Sequence, residues 1–230
     1  MKPSLLLFHG ALGSSRQLES FAYDLREDFN CIPFNFSGHG GKNFEEEFDI
    51  YQFAKEIYEI CKKRKTKPFA FGYSMGGYAA LLAEHTFKNI FKGIITLGTK
   101  FDWNPQTAIS EKTMLNPELI EKNFPAFANT LFERHKPNNW KNVLEKTSEL
   151  IHHLGENAPL NESTLKEIKT PVLVLRGEFD NMVSRAESNA AKSFLPISQY
   201  SEVLNGGHSF EKTNKAILKE LVISFCKNYN

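Results

Sequence analysis

The chain predicts an α/β fold: a mostly parallel sheet of about six strands with helices on both faces and a helical insertion. Three observations carry this expectation. Short apolar runs alternate with amphipathic stretches over the first hundred residues. The apolar runs are continuous, as strands covered on both faces require, and do not alternate with polar residues. The alternation stops between Thr99 and Lys169 and then resumes to the C-terminus.

Taken in order, residues 4–8 read as a strand and residues 16–27 as a helix opened by Ser14-Ser15. Residues 31–36 form a second strand. A helix follows over 49–64, with Phe53, Ile57 and Ile60 on its apolar face. Strands over 69–73 and 93–97 enclose a run of good helix formers. After the interruption come a strand over 171–176, a helix over 186–194, a strand over 199–204 and a helix over 211–227. Right-handed crossovers place the C-terminal ends of all these strands on one edge, where ligands bind. Between 99 and 169 no strand is legible, only helical pieces punctuated by Asn-Pro, Phe-Pro, Lys-Pro and Ala-Pro. The expected organisation is therefore one core domain over 1–98 and 170–230, interrupted by a helical insertion over 99–169.

Composition narrows the function. At 230 residues, 41% apolar and 24% charged, the chain can bury a large core as an ordinary globular domain. A formal charge of +1 gives no field to draw in nucleic acid or an anionic membrane. The basic run Lys62-Lys63-Arg64-Lys65-Thr66-Lys67 ends a predicted helix, where cations complement the macrodipole, and reads as a solvated helix end. Cys31, Cys61 and Cys226 are too few and too scattered for a disulfide framework or a zinc site. Leu5-Leu6-Leu7-Phe8 is too short for a signal-peptide core, and no stretch reaches membrane-spanning length. A cytoplasmic enzyme is the expectation.

The most informative motif is Gly72-Tyr73-Ser74-Met75-Gly76, set between the apolar run Pro68-Phe69-Ala70-Phe71 and a helical run from Gly77 to His85. A serine flanked by glycines at a strand-to-helix turn has the form of a nucleophile elbow. The turn is tight enough to exclude bulky neighbours, and the hydroxyl is thrown out at the positive end of the helix. A G-x-S-x-G arises by chance in roughly one chain in ten of this length, so the motif needs company. It has company: His9-Gly10-Ala11-Leu12-Gly13-Ser14 precedes it. Asp180 follows a later strand, and His208 lies in Asn205-Gly206-Gly207-His208 after the last one.

Together these features resemble the α/β-hydrolase superfamily over nearly the whole chain, in particular its small capped serine esterases. The family's order is nucleophile, acid, histidine, on loops after successive strands. The resemblance implies Ser74 as nucleophile, His208 as general base and Asp180 as the acid that orients it. Asp102, after the strand over 93–97, and Glu178, beside Asp180, are the alternatives for the acid. The His9–Ser14 segment resembles the family's oxyanion loop, which implies the amides of Ala11 and Met75 as donors to the tetrahedral intermediate. His39 matches a turn common in the family and reads as structural; His85 belongs to the helix after the elbow, and His135, His152 and His153 lie in the insertion without ligand spacing. The usual leading hairpin is absent, which is why about six strands are expected. Asn35-Phe36-Ser37-Gly38 stands where many relatives carry Asp and Pro.

Insertions at this position form a cap in the family. Phe101, Trp103, Phe124, Phe127, Phe132 and Trp140 suggest an apolar pocket or the packing of cap helices. Leu12, Phe101, Trp103 and Met182 are the candidate substrate contacts. Arg134 stands alone in the insertion, which disfavours coenzyme A esters and multiply charged acids. The implied activity is cleavage of a small apolar or aryl carboxylic ester through an acyl-enzyme, with no cofactor and no metal. The partner is a small molecule, not nucleic acid or membrane, and the protein acts as monomer or homodimer. The alternatives are a lyase or carbon–carbon hydrolase using the same triad, and a ligand-binding receptor with a vestigial site.

Overall fold

The computed structural model describes residues 2–229. Six strands, β1 (Ser4–Phe8), β2 (Asn30–Phe34), β3 (Phe69–Tyr73), β4 (Gly93–Leu97), β5 (Val172–Gly177) and β6 (Ser198–Val203), form one sheet. Their order is β2-β1-β3-β4-β5-β6 and every described pairing is parallel.

Side-chain alternation along these strands builds two core layers. Leu6, Phe8, Ala70, Ile94, Val172 and Val174 pack against the helices α2 (Ile50–Lys62) and α3 (Met75–Phe87). Leu5, Leu7, Phe69, Phe71, Ile95, Leu97, Leu173 and Leu175 pack on the other face with Phe21 of α1 (Glu19–Asp24) and Leu218, Val222 and Phe225 of α10 (Lys215–Asn228). The four central strands β1, β3, β4 and β5 thus bury both faces, as their unbroken apolar runs require. β2 is an edge strand, which is where Pro33 can sit without costing a ladder hydrogen bond.

Between β4 and β5 lie α4 (Pro105–Thr113), α5 (Pro117–Asn123), α6 (Pro125–His135) and α7 (Trp140–Glu156), which form the cap, and then α8 (Glu162–Glu167). The proline pairs legible in the sequence open three of the helices, at the position where a missing N–H costs nothing. The cap has its own small core of Ile120, Leu131, Trp140, Val143 and Leu144, into which Leu12 of the main domain inserts. The helix α9 (Arg185–Phe194) lies between β5 and β6.

Three elements differ from expectation. The helix expected over 16–27 is a 3₁₀ turn, Ser15–Leu18, followed by the six residues of α1, with Leu18, Phe21, Ala22 and Leu25 toward the core. The helix expected over 211–227 starts later. Asn214 caps it by accepting from the Ile217 N–H, while Phe210–Lys212 forms a separate 3₁₀ turn. The strand expected over 31–36 ends at Phe34; Phe36 has left the ladder and gives its N–H to the ring of His9.

Candidate active site

Ser74 joins β3 to α3 with φ 50° and ψ −117°, a conformation unfavourable for a residue with a side chain. Local bonds hold it there. The Ser74 N–H donates to the Leu97 carbonyl at 2.8 Å, and the Thr99 hydroxyl donates to the Ser74 carbonyl at 3.0 Å. A Cβ at Gly76 would come 2.5 Å from the Phe8 carbonyl oxygen, so the glycine the motif demands is required by close packing of elbow on β1. Met75 is the first helical residue, and its N–H therefore has no acceptor within the helix.

His208 and Asp180 meet from loops after β6 and β5. The His208 Nδ1 lies 2.9 Å from Asp180 Oδ2 and 3.1 Å from Oδ1. Asp180 is itself held by the N–H groups of Met182 and Val183, both donating to Oδ1, at 2.9 and 2.8 Å. Burial alone would raise its pKa. The hydrogen bond and charge of His208, with the two backbone donors, outweigh burial and hold the carboxyl below its ordinary value. The two loops are pinned together, since the Phe179 N–H donates to the Gly206 carbonyl at 2.7 Å. Gly98, at φ 59°, passes so close that a Cβ there would lie 3.1 Å from Asp180 Oδ2. The alternative acids are placed elsewhere: Glu178 accepts from the Asn205 N–H, and Asp102 is exposed beside Asn104.

Ser74, His208, Ala11 and Met75 line one cavity of about 90 Å³ under the cap. Trp103 and Met182 line it too. Leu12 and Phe101 do not: Leu12 anchors the loop of residues 9–13 in the cap core, and Phe101 faces a separate surface depression beside α9. The remaining wall comes from residues that sequence reasoning missed, chiefly Ile50, Tyr78, Lys100, Glu111, Thr147, Leu150, Ile151 and Leu154. The last four of these share the i, i+3, i+4, i+7 stripe of α7, a signal present in the sequence. The aromatics that drew attention instead are spread outward. Phe124, Phe127 and Phe132 are 63%, 42% and 51% exposed, and Trp140 sits in the cap core.

Behind the loop of residues 9–13 lies a group of three buried histidines. Ring centroids of His9 and His39 are 4.9 Å apart, and those of His39 and His135 are 5.7 Å apart. The Phe36 N–H donates to His9 Nε2, which assigns the proton to Nδ1 and a bond from it to the Gly10 carbonyl at 2.8 Å. The Gly40 N–H donates to His135 Nδ1, which assigns the other proton to Nε2 and a bond to the Leu12 carbonyl at 3.1 Å. Arg134 also donates to the Leu12 carbonyl, at 2.7 Å. The cap thus grips the loop by two adjacent side chains of α6. Burial is the chief cause that lowers all three rings: His9 to about 3, His135 to about 4 and His39 well below its ordinary value. Positive neighbours, Arg134 among them, add to it.

The fold points to a class, and sequence comparison agrees. A family model described as "alpha/beta hydrolase fold" matches residues 3–153, and the chain belongs to that family. Among solved structures it is similar to NosK from Streptomyces actuosus (TM-score 0.86, 19% identity, 100% of this chain and 99% of that one). It is also similar to a thermophilic esterase from Thermogutta terrifontis (0.79, 18%, 100% and 91%) and to an esterase from Exiguobacterium antarcticum (0.79, 15%, 98% and 92%). At these identities the likeness is one of fold. No curated protein sequence matches the chain. Among the described residues, no helix is long and apolar enough to cross a membrane, and no cluster of His, Cys, Asp or Glu is placed to hold a metal ion.

Proposed function

We propose that the protein is a serine hydrolase acting on a small carboxylic ester. The observation that carries this reading is the shared cavity, lined both by Ser74 and by a histidine paired at 2.9 Å with a buried aspartate. Ser74 Oγ attacks the ester carbonyl while His208 Nε2 takes its proton. Asp180 keeps the proton on His208 Nδ1 and stabilises the imidazolium. The carbonyl oxygen becomes an oxyanion that the amides of Ala11 and Met75 receive. As the tetrahedral intermediate collapses, His208 returns the proton to the leaving alcohol. Water, activated by the same histidine, then releases the acid and frees Ser74.

The segment over 99–169 serves as the cap over this reaction, with Trp103 and Met182 as substrate contacts. The cavity is smaller than the engineered cavity of about 150 Å³ that holds benzene, which favours compact acyl groups. The test is a fluorophosphonate probe on the wild-type protein and on Ser74→Ala, with adducts located by peptide mass spectrometry. Labelling at Ser74, lost in the variant together with ester turnover, is expected. Undiminished ester cleavage by folded Ser74→Ala rejects the proposal.

A further inference from the structure

The wall of the candidate cavity contains an ion pair that the ester chemistry above does not use. Lys100 Nζ lies 3.4 Å from Glu111 Oε1, and the side chains retain only 16% and 14% of their exposure. Most of the wall around them is apolar, Ile50, Met75, Leu150, Ile151, Leu154 and Met182 among it. Withdrawing two charges from water beside such surfaces is unfavourable, and a hydrophobic pair of similar volume is often at least as stable. Packing therefore does not account for the pair.

Its hydrogen-bonding capacity is incompletely used. A lysine ammonium has three donors. One goes to the Met182 carbonyl at 2.9 Å and one faces Glu111, which leaves a third. Glu111 engages Lys100 through one carboxylate oxygen, so acceptor capacity remains. Trp103 lines the same wall, but its Nε1 is out of reach of water, so the cavity is faced by its ring and not by its donor. The wall therefore offers one unfilled donor and an acceptor, while Lys100 and Glu111 cancel in charge.

We propose that this cavity selects an ester whose enclosed portion carries a neutral group that both accepts and donates hydrogen bonds, with a primary carboxamide as the fullest match. The carboxamide oxygen accepts from Lys100 Nζ, and its NH₂ donates to Glu111. A carboxylate would fit the donor but repel Glu111, and a methyl group would leave both unfilled. The inference rests on Ser74 being the nucleophile of an ester hydrolase.

The test compares ethyl butanoate with its counterparts bearing a terminal carboxamide or carboxylate in place of the methyl. A mirrored series puts the same three ends on the alcohol of propyl acetate. In one of the two series the carboxamide should exceed both others by about tenfold or more in kcat/KM, mainly through a lower KM. Glu111→Gln leaves Lys100 uncompensated and should raise the carboxylate relative to the methyl ester, a change of preference that mere loosening of the cavity does not produce. Fluorophosphonate labelling of Ser74 in that variant shows that the site is intact. Equal kcat/KM for methyl and carboxamide esters in both series, with Ser74 labelled and esters turned over, overturns this proposal and leaves the hydrolase reading standing. Absence of both labelling and turnover removes the hydrolase reading and this proposal with it.

Discussion

Lowering the pH from about 7.5 to about 5 should destabilise the fold by several kcal/mol, through the histidines packed behind the loop of residues 9–13. His9 and His135 are neutral in the folded protein, with pKa values lowered from 6.5 to about 3 and about 4. In the unfolded chain they take a proton near 6.5. Below that pH the unfolded state therefore binds more protons, so stability is fully present above it and declines as the pH falls. The decline continues to about 4 for His135 and about 3 for His9. At pH 5, about 1.5 units below the unfolded value, each ring that stays neutral withdraws about 2 kcal/mol. The two together withdraw about 4 kcal/mol, and His39 adds in the same direction, against a typical total of about 5–15 kcal/mol. Asp180 does not contribute in this window, since its lowered pKa makes its loss fall at still lower pH. Urea melts at pH 7.5, 6 and 5 measure the effect as a falling midpoint at constant slope. His135→Gln removes one titrating ring and should lose about 2 kcal/mol less than wild type over the same interval. An unchanged midpoint between pH 7.5 and 5 would refute the reasoning, as would equal losses in wild type and His135→Gln.

Asp180→Asn should lower kcat on the order of 10³–10⁴-fold. The melting temperature should change little, because the amide oxygen can still accept from the Met182 and Val183 N–H groups. Full activity in that variant would assign the role to another acid. Gly98→Ala introduces a Cβ 3.1 Å from Asp180 Oδ2 at a backbone φ of 59°, so strain of about 1–2 kcal/mol should accompany a fall in kcat; wild-type kinetics would show that the neighbours yield freely. Arg134→Leu removes the 2.7 Å bond to the Leu12 carbonyl and should reduce kcat about tenfold with KM nearly unchanged, because oxyanion donors act in the transition state. A rise in KM alone would place Arg134 in substrate binding instead.

Much of the fold was legible because its signals are local. β1, β3 and β4 match their expected limits, since each is a short apolar run closed by glycine or polar residues. The elbow was legible for a related reason: the glycines of Gly72-Tyr73-Ser74-Met75-Gly76 answer to contacts within the strand–turn–helix unit and with β1. Helix starts were less so. The 3₁₀ turns at Ser15–Leu18 and Phe210–Lys212 carry helix-forming residues, but tertiary contacts decide where the regular helix begins.

The cap was the least legible part. Its aromatics suggested a pocket, yet Phe124, Phe127 and Phe132 are turned to solvent while aliphatic residues of α7 line the cavity. Which face of an amphipathic helix meets a substrate depends on how that helix lies over the sheet, and residue type does not encode this. His135 shows the same limit, because alone in the insertion it carries no pattern. Only folding brings it to Gly40 and Leu12, 95 and 123 residues away.

By itself, then, the sequence determined the α/β architecture, the parallel sheet and the order of serine, acid and histidine, because strand burial, tight turns and loop placement are written in short stretches of chain. The tertiary structure alone decided that Asp180, and not Asp102 or Glu178, meets His208 across 28 residues. It also decided that Lys100, Glu111 and the α7 stripe wall the cavity, and that three dispersed histidines share one buried site. Each of these is a meeting of side chains from separate elements, set by packing between elements and not by the neighbours of any one residue.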